Sequence, residues 1–271
     1  MRLINIRPDR GTALFLAALP FVLVIAAYLM GSAERLALNP NDKLLPSLSS
    51  LGDAIVKMAF TEDGRTGQYL LWSDTLASLS RLFSALGIAT AFALVLGILI
   101  GLLPTVRAFL APFVAMVSMV PPLALLPILF IVMGLGEASK IALIAVGVAP
   151  FLIRDLSMRV EELPREQIIK AQTMGASTWQ MAVRVVLPQI MPRLIDGLRL
   201  SLGPAFLFLI AAEAIASDSG LGYRIFLVRR YLAMDIILPY VAWITLLAVV
   251  MDFALARGRQ FFFPWFGGRG A

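Results

Sequence analysis

Few residues in this chain can do chemistry, and their types exclude most of it. The 271 residues contain no histidine and no cysteine. That removes imidazole acid–base catalysis, thiol nucleophiles, disulfides and the nitrogen and sulfur ligands of most metal sites. Carboxylates remain, but no pair of them falls in a predicted pocket. No Gly-x-x-x-x-Gly-Lys-[Ser/Thr] run occurs, so the chain cannot cradle nucleotide phosphates in a P-loop. What is left are charges set at the ends of long apolar runs: Glu213, Asp196 with Arg199, and Asp252. A charge is costly in hydrocarbon, so such residues either pair or line a polar route. Glu213 precedes Ser217, Ser219, Gly220 and Gly222 by a few positions and has two readings, a pathway or gate group or a helix-end structural partner. For Asp252 the expected role is an ion pair with Arg199 or Arg257.

These charges need a frame, and composition says what kind. The chain is 60% hydrophobic with a mean hydropathy of +0.88, well above the 45–50% apolar content usual in soluble domains. Several stretches are long and uncharged enough to cross a hydrocarbon core about 30 Å thick. The spacing predicts an all-α, polytopic membrane protein of about six transmembrane helices, over 12–30, 75–103, 109–135, 139–153, 194–216 and 236–256. The first run is too long for a secretory signal, and no small-residue cleavage site follows it. Segment 1–74 reads as an N-terminal helix plus an external loop, with turns at Asn39-Pro40-Asn41-Asp42 and Asp63-Gly64-Arg65 and a short helix near 51–60. Segment 75–256 is the core and 257–271 a cytoplasmic tail.

Within the second span, which Ser73 or Asp74 would cap, Ala85, Ala89, Ala93, Gly97 and Gly101 recur every four residues. Such a ridge lets two helix backbones approach closely in lipid. Pro121, Pro122 and Pro127 in the third span predict a kink, tolerated at membrane depth only where protein or a wet cavity surrounds it. Basic residues cluster in the N-terminus, in 154–193 and in the tail, which puts both termini in the cytoplasm; Arg224, Arg229 and Arg230 fall on the other side. The charge of +6 therefore reflects span flanks, and no nucleic-acid partner is read from it.

The inner segment 154–193 is the most informative. Pro164 suits a first helical turn, residues 165–174 favour helix, and Gly175 is a natural stop. A second short helix is expected over 178–186, ended by Pro188. Two amphipathic helices around a fixed glycine bend are more than a solvated connector requires.

Ala171, Gly175, Val185, Leu187 and Pro188 stand at the spacing of the coupling segment of ABC importer permeases: Glu-Ala-Ala, three residues, Gly, nine residues, Ile, one residue, Leu-Pro. Pro121-Pro122, Gly134-Leu135-Gly136-Glu137, Ala211-Ala212-Glu213 and Ser219-Gly220-Leu221-Gly222-Tyr223 add to the match, which runs over about 75–256. The chain resembles the nitrate, sulfonate and taurine group of binding-protein-dependent permeases. It departs at Ile169 and Lys170, where the pattern has Glu and Ala; Glu166, one turn upstream, is a possible substitute.

The resemblance implies a type I ABC importer permease fold in a bacterial inner membrane and a second permease, making a homodimer. It also implies two cytoplasmic ATPases that carry the ATP and Mg, an external solute-binding protein, and no cofactor on this chain. Glu166, Lys170, Ala171, Gly175, Val185, Leu187 and Pro188 would contact the ATPase. Glu213, Ser217, Ser219, Gly220, Gly222, Pro121 and Pro122 would line the translocation pathway or its gate. The implied cargo is a small polar solute, such as a sulfonate, taurine or nitrate; the Ile-Ile-Lys-Ala-Gln form of the loop suggests instead a urea- or guanidine-like compound. An ion-coupled secondary transporter is the alternative, but it usually shows internal repeats and a titratable relay at membrane depth, and neither is evident.

Overall fold

The computed structural model describes residues 8–40, 42–64 and 66–266. Arg2, Arg7, Asn41, Arg65 and Arg269, which entered the topology and turn readings, lie outside the described residues. The described residues are helical, and five of the helices are long and apolar enough to cross a membrane, or six if one bent pair counts as a span.

Helix α1 (Arg10–Leu38) begins at Asp9, whose side chain accepts from the Gly11 N–H. It stands apart from the bundle: its most apolar stretch has no buried residue. Among the described residues it is tied down toward its C-terminal end, where Tyr28 donates to the Pro46 carbonyl at 2.6 Å and Ser32 to that of Leu45 at 3.0 Å. Arg35 pairs with Asp42 and holds that carboxyl below the usual carboxylate range. Helix α2 (Leu48–Phe60) follows, capped by Ser47.

The core is built by α3 (Leu70–Leu102), α6 (Glu137–Glu161) and α9 (Leu187–Ala216). The expected small-residue ridge is the α3–α6 contact. Ala85, Ala89 and Ala93 are completely buried, Gly97 lies against Leu156, and Gly101 against Val160 and the Ser157 carbonyl. Pro104 ends α3 and starts α4 (Pro104–Val117) at its first turn.

Four sequence expectations are corrected. Helix α3 starts at Leu70, after Tyr69, so neither Ser73 nor Asp74 caps it and the 74/75 boundary falls inside a helix. The Asp74 carboxylate is spent on tertiary partners instead. The third span is not one kinked helix but α4 and α5 (Pro122–Met133), set at 94° to each other. Consecutive prolines remove two backbone donors and force the preceding residue out of helical geometry, so the chain turns a corner there.

The fourth span is longer than 139–153, because α6 continues to Glu161 with Arg159 paired to Asp155 one turn back at 3.5 Å. The fourth correction concerns Pro188, which does not end a helix. After α7 (Arg165–Thr173), the chain enters α8 (Thr178–Gln180), a π-helical segment (Met181–Val186) and then α9 without interruption. In an α-helix the Pro188 ring would strike the carbonyl one turn back; the wider π ring relieves that clash and lets the helix pass through.

Beyond α9, a strap leads to α10 (Leu221–Arg229), then α11 (Met234–Phe262) and a 3-10 turn at Pro264–Phe266. Helix α11 thus extends six residues past the expected end of the last span at 256.

Candidate functional site

Two constellations stand at opposite ends of the core helices. At one end, α7 has no buried residue. It projects from the bundle as an amphipathic helix, with Glu166 and Lys170 exposed, Ala171 half-buried and Ile168 turned onto the core. Its end is set by Gly175, at φ +80°. The Gly175 N–H bonds to the Gln172 carbonyl at 2.9 Å and the Ala176 N–H to that of Ala171 at 3.0 Å. This is the Schellman arrangement, which wants a left-handed residue at that one position. Ser177 and Gln180 then form a capping box that starts α8 at once.

Val185 and Leu187 are half-buried, Pro188 is exposed, and their neighbours Val186 and Ile190 are core. Gln189 ties the two helices together, donating to the Gln167 side chain at 2.9 Å. The seven sequence-predicted residues therefore lie on one continuous structure, from an exposed helix through a tight turn into a core span. Met174 and Trp179, both about three-quarters exposed at 77% and 75%, flank the turn and add an apolar contact face.

At the other end, five helices meet in a buried polar knot. Glu213 is completely buried. Its carboxylate accepts from Ser78 at 2.8 Å, from Arg81 at 2.7 Å and from the Gly222 N–H at 2.8 Å. Arg81 also pairs with Glu137 and donates to the Ser219 carbonyl at 2.8 Å. Lys140 donates to Glu137 at 2.8 Å and to Ser217 at 3.3 Å. Asp74 takes the Gly220 N–H at 3.0 Å, Arg224 at 2.8 Å and the Tyr240 hydroxyl at 3.2 Å. Among the described residues no buried side-chain polar atom is left without a partner, as a buried network requires.

Gly220, at φ +123°, packs so closely on Glu213 that an added Cβ would come within 2.5 Å of the carboxylate, and Gly222 lies against the backbone of Ile210. The strap from Ser217 to Gly222 is thus stitched onto α3, α6 and α9.

The structure brings Glu213, Ser217, Ser219, Gly220 and Gly222 together; Pro121 and Pro122 stand apart at the α4–α5 corner and give the knot no hydrogen bond. Asp74, Ser78, Arg81, Glu137, Lys140, Arg224 and Tyr240 belong to it as well. The signal for them was Arg81, a lone cation 11 residues past the start of α3, which demands a buried acid. At the inner ends, Arg199 pairs with Asp252 through two bonds of 2.8 and 2.9 Å, as expected, and Arg259 with Asp196 at 2.6 Å.

An exposed coupling-type helix rooted in a span, on a helical core with one broken span, defines a membrane transport subunit. The chain belongs to the family of binding-protein-dependent transport system inner membrane components, whose profile matches residues 93–265. It is 38% identical over 198 residues to the taurine transport system permease protein TauC of Escherichia coli, covering 73% of this chain and 72% of that one. It is 31% identical over 196 residues to the bicarbonate transport system permease protein CmpB of Synechococcus elongatus, covering 71% and 69%. Among solved structures, it shares its fold with a chain of the MetNI methionine ABC transporter in inward-facing conformations. The TM-score is 0.64 at 20% identity, covering 71% of this chain and 95% of that one. The protein is an all-α ABC importer permease of the type I fold.

Proposed function

We propose that two copies of this chain form the pore of an ATP-driven importer in a bacterial inner membrane, with α7 docked on a cytoplasmic ATPase that binds ATP and Mg. An external binding protein delivers a small polar solute; the likeness to a taurine permease favours a sulfonate over a urea- or guanidine-like compound. The observation that carries the reading is the rooting of α7. The helix has no fully buried residue and meets the core through Ile168 and the Gln167–Gln189 bond, and a capping box and a continuous 39-residue helix, Thr178–Ala216, join it to the bundle. A pull on α7 is therefore delivered to α9 rather than absorbed in a loose loop. ATP-driven closure of the ATPases would move the two docked helices and bias the permeases between inward- and outward-open states.

In this reading Glu166 and Lys170 supply the charged contacts, Ala171 and Gly175 fit the docking groove, and Val185, Leu187 and Pro188 transmit the movement. The strap 217–222 borders the external gate with Glu213 as its anchor, and the corner at Pro121 and Pro122 lines the route between the protomers. The exposed apolar surface of α1 is covered by lipid and by the second protomer.

The test is substrate-stimulated ATP hydrolysis by the reconstituted complex. Gly175→Val puts a β-branched side chain where a left-handed backbone costs roughly 1–2 kcal/mol, in open space that touches no span. The expected outcome is normal insertion with ATPase association or stimulation lost. Lys170→Glu should weaken assembly more at low salt than at high, since screening is least there. Normal assembly and uptake by both variants would refute the coupling role.

A further inference from the structure

At the inner end of the bundle, beside the root of α7, lies a cleft of about 920 Å³. Its walls include Arg159 and Glu162 at the end of α6, Gln189 and Arg193 from α9, and Trp265 and Phe266 from the 3-10 turn after α11. We infer that this cleft binds the headgroup of an anionic phospholipid, with Arg193 as the principal phosphate partner.

Three observations carry this. The first is charge. Arg193 is exposed, and among the described residues its recorded contact is with the Phe266 ring, 4.7 Å from the guanidinium; no carboxylate lies in ion-pair range of it. Arg159 shares itself between Asp155 and Glu162, at 3.5 and 3.2 Å, and Glu162 is the one acid in the lining, against two arginines. The cleft therefore keeps a net positive charge with a planar fork free to hold two oxygens.

The second is the wall. Phe266 lies under both Arg193 and Arg259, the latter at 5.9 Å, and Arg259 is itself fixed by Asp196. Trp265 packs on Phe263 at 5.5 Å between ring centres yet stays two-thirds exposed, as does Phe262, and Phe261 is more exposed still. Exposed aromatics beside arginines at the end of a span are the arrangement that sits at the headgroup level. Basic pockets between helices at the cytoplasmic surface take acidic lipid headgroups. The third is position: Gln189, in the wall, is the residue that holds Gln167 of α7. A lipid seated there touches the base of the coupling helix.

The inference rests on the reading that this end lies at the membrane surface beside the ATPase. Its test reads the site itself. The assembled transporter in detergent is offered phosphatidylglycerol or phosphatidylcholine, and bound lipid is counted by native mass spectrometry. Wild type should retain phosphatidylglycerol preferentially. Arg193→Gln should lower that retention about fivefold, the effect of one basic residue at an anionic surface, while Arg193→Lys should keep most of it. Trp265→Ala should weaken retention of both lipids.

Equal retention of the two lipids, or no change in Arg193→Gln, overturns the proposal. Displacement of the lipid by millimolar inorganic phosphate overturns it in favour of a small-anion site. Loss of the ATPase from Arg193→Gln with lipid retention unchanged overturns it in favour of a protein contact. In detergent, lipid reaches the cleft whichever way the chain is inserted. An error in orientation would therefore appear in labelling from the outside and not in this measurement.

Discussion

Glu213 receives three donors on two oxygens, from two other parts of the fold: Ser78 and Arg81 from α3 and the Gly222 amide from the start of α10. Glu213→Gln presents an NH2 group to a site made only of donors and leaves Arg81 short of one of its two acids. Breaking a buried pair in this way costs about 3–5 kcal/mol. The expected outcome is a clear fall in thermal midpoint in detergent, with transport falling in proportion to folded protein. A variant of wild-type stability that fails to transport would instead assign Glu213 a direct part in the gate. Gly220→Ala makes a companion test, because its Cβ would meet the Glu213 carboxylate at 2.5 Å in a backbone conformation that disfavours side chains. It should destabilise the knot as Glu213→Gln does, without altering any charge.

At the scale of elements, the α3–α6 contact offers a graded test. An added Cβ would meet Val160 at 2.4 Å from Gly101, meet Leu156 at 3.0 Å from Gly97, and meet nothing within 4 Å from Gly87. Alanine at 101 must push the helices apart, which in packed interiors costs about 1–3 kcal/mol; at 97 it should cost less, and at 87 nothing. Thermal midpoints of the three variants should fall in that order, and a flat series would mean the helices separate freely. This ridge was legible from sequence because its cause is local: small residues at a fixed spacing mark a close approach whatever the partner. The Gly175 turn was legible for the same reason. Asp74 was not. Next to a predicted helix start, a capping role is the default, and the choice against it is made by Gly220, Arg224 and Tyr240, some 146 to 166 residues away. Nor was the passage of α9 through Pro188 legible, since a proline predicts a stop and the π segment that accommodates it has no sequence mark.

For the whole molecule, the buried pairs change how its charge should be counted. The basic residues on the outer side blurred the expectation that both termini face the cytoplasm. Three of them prove to be neutralised internally: Arg81 by Glu213 and Glu137, Lys140 by Glu137, and Arg224 by Asp74. Lys43, Lys57, Arg229 and Arg230 remain exposed on that side, against Arg154, Arg165, Lys170, Arg184 and Arg193 on the α7 side. Arg107, Arg159, Arg199 and Arg259 on the α7 side are paired as well, so the bias among unpaired cations keeps the direction of the bare count. The prediction is that position 175 and both termini are cytoplasmic and that positions 42 and 218 are external. Asp218 is the better reporter of the strap, because it is exposed while Gly220 is buried and intolerant of a side chain. The chain has no cysteine, so Asp42→Cys, Gly175→Cys and Asp218→Cys can each be made singly and treated with an impermeant thiol reagent in intact cells. Labelling at 42 and 218 with protection at 175 is the expected pattern. The reverse pattern would put α7 outside the cell, out of reach of any ATPase.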